Sequence, residues 1–239
     1  MTASNTQESF KLNRYLSRPL TTLFLKTPIT PNQVTSLSLG FGILSGFLFS
    51  KGDYHFLVLG ALTFQAAVVL DNCDGEIARS KNLKSVFGGW FDVAVDVIVD
   101  IALFSGITLG LVKAGAHGPF LLLGFLCILG SVMNCLIVIL QKIRGFGPAM
   151  FNRPHPEGID RTNVFFQIID ALREGDASWF IVLFVFFDNT LYLLWFSVFY
   201  MQVLWLSALF LNFKWLFASP LKNNETSESF LNGKVQNSK

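Results

Sequence analysis

Long apolar stretches separated by short polar segments dominate the chain and predict a helical membrane protein. Six such stretches cover about residues 34–50, 54–71, 86–112, 118–141, 178–191 and 192–213. At a helical rise of 1.5 Å per residue, most of them are long enough to cross a hydrocarbon layer about 30 Å thick. We therefore predict an all-α, polytopic membrane protein with six transmembrane helices.

The division between the fifth and sixth stretches depends on one short polar break. Asp188, Asn189 and Thr190 interrupt a strongly apolar region that runs from Trp179 to Trp215. A tight turn at this break gives two spans, of which the first is short, and this is the interpretation that we adopt. A single tilted helix is the alternative, and it leaves five spans.

The two ends of the chain differ from its apolar middle. Ahead of the first span, apolar residues recur at roughly helical spacing, which is typical of an amphipathic helix on a membrane surface; they are Tyr15, Leu16, Leu20, Leu23 and Phe24. A frayed polar terminus is the alternative. The last twenty or so residues are polar and have little to bury. We expect a cytoplasmic amphipathic segment over 1–33, the six-helix transmembrane domain over 34–218 and a disordered cytoplasmic tail over 219–239.

Composition and charge support the membrane interpretation and predict the orientation. Only 14% of the residues are charged, whereas about a quarter is usual for a soluble domain. With the N-terminus on the cytoplasmic side, sixteen of the eighteen Lys and Arg residues fall in cytoplasmic segments and only Lys51 and Lys113 fall outside, as the positive-inside rule requires. Both termini are then cytoplasmic. The net charge of +2 gives no indication of a nucleic-acid partner.

A glycine-rich segment in the first span has two possible interpretations. Gly40, Gly42 and Gly46 lie in the sequence GFGILSG, which is close to a dinucleotide-binding fingerprint. That fingerprint requires a βαβ unit, and the surrounding pattern does not provide one. We therefore interpret these glycines as sites of close packing between membrane helices.

The third apolar stretch contains three carboxylates. Asp92, Asp96 and Asp100 follow one another at intervals of four residues, so they share one face of a helix. Each ionised carboxylate at the centre of a membrane costs about 2.5–3.5 kcal/mol on insertion scales. This face must therefore meet water or cations.

A second pair of carboxylates ends the preceding span. Asp71 and Asp74 are three residues apart, and packing of the two spans side by side brings them towards Asp92 and Asp96. Four carboxylates at close range stay ionised only when cations lie among them. Ligand sets made of oxygen alone favour hard ions such as Mg²⁺ or Mn²⁺.

Two small residues and an arginine accompany these acids. Gly75 and Ala78 keep the carboxylate face free of bulky side chains, which leaves room for a phosphorylated ligand near the backbone. Arg79 adds a fixed cation that suits a phosphate group. Each residue taken alone is common in packing or at an interface, but the combination indicates a phosphorylated substrate.

These residues together resemble a family signature. The pattern DxxDGxxARx(8)GxxxDxxxD of the CDP-alcohol phosphatidyltransferases is matched at every specified position, by Asp71, Asp74, Gly75, Ala78, Arg79, Gly88, Asp92 and Asp96. Pro31, Asn32 and Thr35 are similar to a PNxxT segment that many members carry. The second half of the chain matches only in hydropathy and in a basic loop.

The resemblance implies a reaction of phospholipid biosynthesis, in which an acceptor hydroxyl attacks the β-phosphorus of a CDP-alcohol and displaces CMP. In such enzymes the four Asp residues of the signature hold two divalent ions, Mg²⁺ or Mn²⁺, and Asp96 is the general base. Gly75, Ala78 and Arg79 correspond to nucleotide contacts, and Thr35 is a further candidate. We also expect a homodimer, located in a bacterial inner membrane with its active site on the cytoplasmic side.

The substrates are less constrained than the reaction. Val93 follows the third signature Asp and no basic residue lies near Asp96, unlike in members that make phosphatidylglycerol phosphate. The local sequence is more similar to members that use CDP-polyols such as CDP-inositol, and CDP-diacylglycerol also remains open as the donor. Either the donor or the alcohol acceptor is then the lipid. Arg153 and Arg161 are candidates for binding an acceptor phosphate or a lipid head group, although positive-inside charge accounts for them equally well.

Two other functions share part of this pattern. Intramembrane prenyltransferases also use Asp-rich motifs and Mg²⁺ on a diphosphate, but their two motifs lie far apart in the chain and they have more helices. A non-enzymatic cation carrier also needs intramembrane carboxylates. A carrier has no use for the spacing of Gly75, Ala78 and Arg79.

Overall fold

The chain folds into α-helices throughout the part that the structure describes. The structure is a computed structural model that describes residues 12–143 and 177–217. In chain order the helices there are α1 (Leu12–Leu25), α2 (Pro31–Phe49), α3 (Tyr54–Ser80), α4 (Val86–Lys113), α5 (Phe120–Ile143), α6 (Ser178–Phe186) and α7 (Thr190–Phe217). The predicted all-α class is confirmed for these residues, and the tail predicted over 219–239 lies outside them.

Four of the described helices are long and apolar enough to cross a membrane. Their spanning parts are Tyr54–Ser80, Val86–Lys113, Phe120–Leu140 and Thr190–Phe210, which supports an integral membrane protein. Helix α2 has 19 residues, but its buried face is made largely of Thr, Ser and Gly. Helix α6 has nine residues and is therefore only about 14 Å long. The topology with six spans stays a prediction.

The polar break near the C-terminal end of the described chain separates two helices. Asp188 adopts a positive φ of 53° between α6 and α7, a conformation that Asp tolerates better than most side chains. The amide of Asn189 donates a hydrogen bond of 2.8 Å to the carbonyl of Phe184. The predicted turn is confirmed, and the alternative of a single tilted helix is wrong.

Helix α2 occupies the centre of the bundle and packs on both α3 and α4, whereas α3 and α4 make few close contacts with each other. Its contact with α4 depends on glycines, because a Cβ on Gly46 would overlap the carbonyl of Ala102 and a Cβ on Gly106 would overlap that of Gly46. Gly42 faces a valine of α4, while Gly40 has open space beside it. The predicted close packing is confirmed for Gly42 and Gly46 and not for Gly40.

Apolar packing fixes the position of α3 along α2. A cluster next to the carboxylates holds the two helices together and consists of Val34, Val69, Leu70, Cys73 and Ile77, with Leu20 and Phe24 of α1 packed against it. The larger core joins α2, α4 and α7 and includes Phe49, Leu103, Phe104, Leu193 and Leu194. Asp71 and Asp74 therefore lie on a helix whose position is set by buried side chains on both sides of each acid.

The chain reverses between α3 and α4 through a short turn. Asn82 has a φ of 56°, which Asn accepts more readily than most residues. The ammonium of Lys81 donates hydrogen bonds to the carbonyls of Thr27 and Ile29, at 2.7 and 2.8 Å. The end of α3 is thereby tied to the segment that joins α1 to α2.

Helix α1 faces the bundle with its polar side. Asn13, Ser17 and Thr21 are buried, whereas Tyr15 and Leu23 are 74% and 58% exposed. A frayed terminus is therefore excluded for residues 12–25. Of the five apolar residues predicted for the membrane-facing side, Leu20 and Phe24 pack on the bundle, whereas Tyr15, Leu16 and Leu23 are exposed. Placement of this exposed side on a membrane surface stays a prediction.

Candidate active site

Three carboxylates of the signature converge between α3 and α4. Asp71 and Asp74 lie in the C-terminal part of α3, and Asp92 lies near the start of α4. Each offers one carboxylate oxygen such that all three oxygens lie within 4.8 Å of one another. Because like charges at this distance repel, a cation among them stabilises the ionised state.

Asp71 is the central member of the acidic group. The charges of Asp96, Asp92, Asp74 and Asp100 all act on it. Its Oδ1 atom is buried and has no hydrogen-bond partner within the described part of the chain. Buried polar atoms normally have partners, and coordination to a metal ion supplies one. The oxygen donors fit a hard divalent cation such as Mg²⁺ or Mn²⁺.

Asp96 lies one turn further along α4 than Asp92. It is exposed and lines a cavity of about 240 Å³ together with Asp71 and Asp100. The fourth signature carboxylate therefore lines the same cavity as Asp71 of the group of three. Its predicted roles as metal ligand and general base stay predictions.

Thr35 holds one of the three converging carboxylates. Its hydroxyl donates a hydrogen bond of 2.5 Å to Oδ2 of Asp74. Both residues are deeply buried, with exposures of 3% for Thr35 and 6% for Asp74. The hydroxyl of Thr35 also lies 3.1 Å from the carbonyl oxygen of Pro31, so both of its contacts are within the protein. The nucleotide contact predicted for Thr35 stays a prediction.

Capping of α2 places Thr35 at this position. Pro31 occupies the first turn, where its missing N–H costs nothing. The side chain of Gln33 accepts a hydrogen bond of 2.9 Å from the amide of Thr30. The start of α2 is therefore fixed one turn before the hydroxyl that contacts Asp74.

The same end of α2 also approaches the start of α4. A Cβ on Gly88 would lie 3.1 Å from Oδ1 of Asn32 and 3.0 Å from Oγ of Ser85. That Ser85 oxygen accepts a hydrogen bond of 2.9 Å from the amide of Gly88 and so caps α4. A glycine at this signature position lets α2 and α4 come together at the level of the acids.

The guanidinium of Arg79 folds back over Gly75. A Cβ on Gly75 would lie 3.3 Å from Nη1 of Arg79, which is tighter than an ordinary contact. Arg79 is exposed, Ala78 is half-buried, and the charge of Arg79 also acts on Asp74. A cation suited to phosphate therefore lies beside the carboxylates. The nucleotide contacts predicted for Gly75, Ala78 and Arg79 stay predictions.

Sequence reasoning missed Glu76, which occupies an unspecified position of the signature. Ser17 and Thr21 of α1 donate hydrogen bonds to its two carboxylate oxygens, at 3.1 and 2.6 Å. The available signal was the polar stripe on α1, in which Asn13, Ser17 and Thr21 recur every four residues. Glu76 is the residue through which α1 docks next to the site.

A second contact was not predicted, although its carboxylate was noticed in the sequence. Asp100 accepts a hydrogen bond of 2.6 Å from the hydroxyl of Ser131 on α5. The two residues are 31 positions apart, and no local pattern links them. Arg153 and Arg161, the candidates for binding an acceptor phosphate, lie outside the described residues.

A comparison with known families agrees with the signature. Residues 28–172 match the profile of the family described as CDP-alcohol phosphatidyltransferase. The chain belongs to the CDP-alcohol phosphatidyltransferase family. The matched range includes the segment from Pro31 to Thr35 and every residue of the signature, so the resemblance noted in the sequence is confirmed.

Curated relatives are similar over part of their length. The chain is 33% identical over 125 residues to the bifunctional IPC transferase and DIPP synthase of Aquifex aeolicus, covering 52% of this chain and 27% of that protein. It is 28% identical over 129 residues to the phosphatidylinositol phosphate synthase of Corynebacterium glutamicum, covering 54% and 58%. The similarity thus spans about a quarter of the first relative and just over half of the second.

The fold is similar to that of phosphatidylinositol phosphate synthase from Mycobacterium tuberculosis. The crystal structure of that protein with CDP-DAG bound gives a TM-score of 0.55 at 20% identity and covers 89% of this chain and 98% of the other. Its complex with manganese and citrate also gives 0.55 at 20% identity, with coverages of 87% and 92%. At this level of identity the likeness shows a shared fold.

Proposed function

We propose that the chain is a metal-dependent CDP-alcohol phosphotransferase of phospholipid biosynthesis. The observation that carries the proposal is the convergence of Asp71, Asp74 and Asp92 next to the guanidinium of Arg79. A diphosphate substrate needs concentrated positive charge on both of its phosphates. Transfer of a phosphoryl group depends on positioning and charge stabilisation more than on covalent help from the protein.

Asp71, Asp74 and Asp92 are the residues that would hold a divalent cation, and we assign Asp96 as a further ligand for a second one. Mg²⁺ or Mn²⁺ held by these residues would supply the positive charge that offsets the diphosphate and the oxygen on which CMP leaves. The orphaned Oδ1 of Asp71 supports this assignment. The manganese complex of the similar Mycobacterium tuberculosis protein is consistent with it.

Asp96 is our assignment for the general base. Its carboxylate takes the proton of the acceptor hydroxyl while the acceptor oxygen bonds to the β-phosphorus. The bond between that phosphorus and the oxygen of CMP breaks, and CMP leaves with the electron pair. The exposure of Asp96 on the cavity supports this role, because a base must reach the proton that it removes.

The nucleotide side of the site is assigned to the C-terminal end of α3. Arg79 pairs with a phosphate of the donor. Gly75 and Ala78 have no bulky side chain, so the nucleotide can approach the helix backbone. Thr35 acts mainly by holding Asp74, and it lies close enough to remain a candidate nucleotide contact. Arg153 and Arg161 are proposed to bind an acceptor phosphate or a lipid head group.

The donor is proposed to be CDP-diacylglycerol or a CDP-polyol such as CDP-inositol, and the acceptor an alcohol or a lipid. The similar structure that holds CDP-DAG supports a CDP-alcohol as the donor. The curated relatives include a phosphatidylinositol phosphate synthase.

The protein is further proposed to cross a bacterial inner membrane six times, with both termini and the active site on the cytoplasmic side. The exposed apolar face of α1 supports a position of that helix in the membrane surface. We also propose a homodimer in contact through the outer ends of the spans formed by α4 and α5. Cross-linking in native membranes tests it, and a strictly monomeric protein contradicts it.

A donor screen tests the proposed function. Purified protein is supplied with Mn²⁺, a lipid extract and one of CDP-diacylglycerol, CDP-inositol, CDP-choline or CDP-glycerol, and CMP and the lipid product are measured by mass spectrometry. We expect metal-dependent release of CMP from at least one donor, and loss of release in Arg79→Ala. A protein that binds CDP-alcohols but releases no CMP contradicts the proposal. Cation transport that survives Arg79→Ala indicates a carrier instead.

A further inference from the structure

The cavity lined by Asp71 and Asp96 extends along α4 as far as Asp100. Asp100 is the lining residue furthest along α4, one helical turn past Asp96, and we call this part of the cavity its inner end. Helix α5 provides the opposite wall through residues that recur at helical spacing: Ser131, Asn134, Cys135 and Val138. With a volume of about 240 Å³, the cavity has room for a small organic molecule.

Asp100 is held in place rather than left to move. The hydroxyl of Ser131 donates a hydrogen bond of 2.6 Å to Oδ2 of Asp100, and Ser131 is itself only 5% exposed. A carboxylate accepts several hydrogen bonds, so this one leaves acceptor capacity on Asp100. The inner end of the cavity therefore presents a positioned hydrogen-bond acceptor.

The charge of the residues that line the cavity determines which chemical group of a ligand can bind next to Asp100. Among the described residues, the cavity is lined by three carboxylates and by no Lys, Arg or His. An anionic phosphate is repelled from Asp100, and an acyl chain would desolvate the carboxylate without a hydrogen bond in return. A neutral hydroxyl group can donate a hydrogen bond to the carboxylate of Asp100. A phosphate on the acceptor would instead lie at the other end of the cavity, where the signature carboxylates would hold cations.

We propose, on the basis of the proposed function, that Asp100 binds a second hydroxyl of a small polyhydroxylated acceptor while Asp96 meets the hydroxyl that reacts. Four residues of helix separate the two carboxylates by about 6 Å along the axis. Two hydroxyls of one cyclitol or short polyol bridge such a distance, whereas the single hydroxyl of a lipid alcohol does not. Asp100 is then a specificity-determining residue.

The test uses the full chain with the donor identified by the screen, and myo-inositol and diacylglycerol as competing acceptors in one mixture. We expect the wild type to prefer myo-inositol. Asp100→Asn should raise the KM for myo-inositol about tenfold, because a hydrogen bond to a charged carboxylate is replaced by a weaker one to a neutral amide, while the KM of the donor is unchanged. The product ratio should shift towards the diacylglycerol product, which general damage to the fold does not cause.

Two further variants separate binding from stability. Ser131→Ala keeps the carboxylate but releases its orientation, so a smaller rise in the KM for myo-inositol is expected. Ser197→Ala is the matched control, because Ser197 lines a neighbouring cavity with Asp100 but not the one described above. It should leave the acceptor preference unchanged.

A binding measurement distinguishes failure of this inference from failure of the proposed function. At the same concentration, myo-inositol should raise the Tm of the wild type more than that of Asp100→Asn, whether or not CMP is released. Turnover with a KM for myo-inositol that does not depend on Asp100 overturns the inference and leaves the function intact. Absence of CMP release with Asp100-dependent stabilisation by myo-inositol overturns the function alone.

Discussion

The hydroxyl of Thr35 donates a hydrogen bond of 2.5 Å to Oδ2 of Asp74. This contact joins the second turn of α2 to the carboxylates of α3, although the two residues are 39 positions apart in the chain. Because α2 also packs on α4, the orientation of Asp74 depends on the helix that holds α3 and α4 together. The converging carboxylates and the centre of the bundle are therefore linked by one side chain.

Removal of this hydroxyl should weaken metal binding. In Thr35→Val the shape is nearly kept but Asp74 loses the group that orients it, and loss of such a partner typically lowers metal affinity or activity about 10–100-fold. Titration of the purified variant with Mn²⁺, followed by electron paramagnetic resonance, measures the change. Thr35→Ser retains the hydroxyl and should bind Mn²⁺ nearly as the wild type does. Equal affinities for all three proteins would show that Thr35 has no role in the metal site.

Gly75→Ala should impair donor binding more than stability. The added Cβ lies 3.3 Å from Nη1 of Arg79, so the guanidinium has to move away from the position that we assign to a donor phosphate. We expect the KM for the CDP-alcohol to rise about tenfold, equivalent to about 1.4 kcal/mol, with little change in Tm. Steady-state CMP release at varied donor concentration measures it.

Gly40→Ala is the matched control for this substitution. Gly40 is also helical, but no atom lies within 4 Å of the place that its added Cβ would take, and replacement of helical Gly by Ala is generally favourable. The control should leave the donor KM unchanged. An identical change in donor KM for Gly75→Ala and Gly40→Ala would contradict the proposal that donor binding needs the free space next to Gly75.

Glu76 should couple α1 to α3. Thr21→Val and Glu76→Gln each disturb the 2.6 Å hydrogen bond between the two residues, so each should cost about 1–3 kcal/mol of stability. The double variant should cost less than the sum, since both changes remove the same contact. Thermal unfolding in detergent and hydrogen exchange of residues 12–25 measure the two effects. Strict additivity, with exchange in α1 unchanged, would mean that this contact does not dock the helix.

The local spacing of the signature explains how much of the site could be predicted. Asp71 and Asp74 share one helix face, as do Asp92 and Asp96, and these relationships follow from the period of the α-helix alone. The turn at Asp188 was also predictable, because Asp and Asn favour turns and stand together there within a long apolar region. Both features depend only on residues that are close together in the sequence.

Other features depend on contacts between distant residues and could not be predicted. The polar stripe of α1 packs against Glu76, so polarity there marks a helix contact and not a face in water. Polarity also marks a helix contact in α2. Its buried Thr, Ser and Gly residues allow other helices to pack closely against it and make the helix less apolar. A hydropathy pattern does not distinguish a polar residue that faces another helix from one that faces water, because it contains no information about the partner helix.

Metal-dependent phosphoryl transfer at the four carboxylates is tested most directly by comparing Asp92→Asn and Asp96→Asn with the wild type. Asp53→Asn is the control, because Asp53 is an exposed residue at the opposite end of α3. We predict Mn²⁺-dependent release of CMP from a CDP-alcohol by the wild type and by Asp53→Asn, and a fall of at least about 100-fold in both site variants. Release of CMP by Asp92→Asn and Asp96→Asn at the wild-type rate would contradict it.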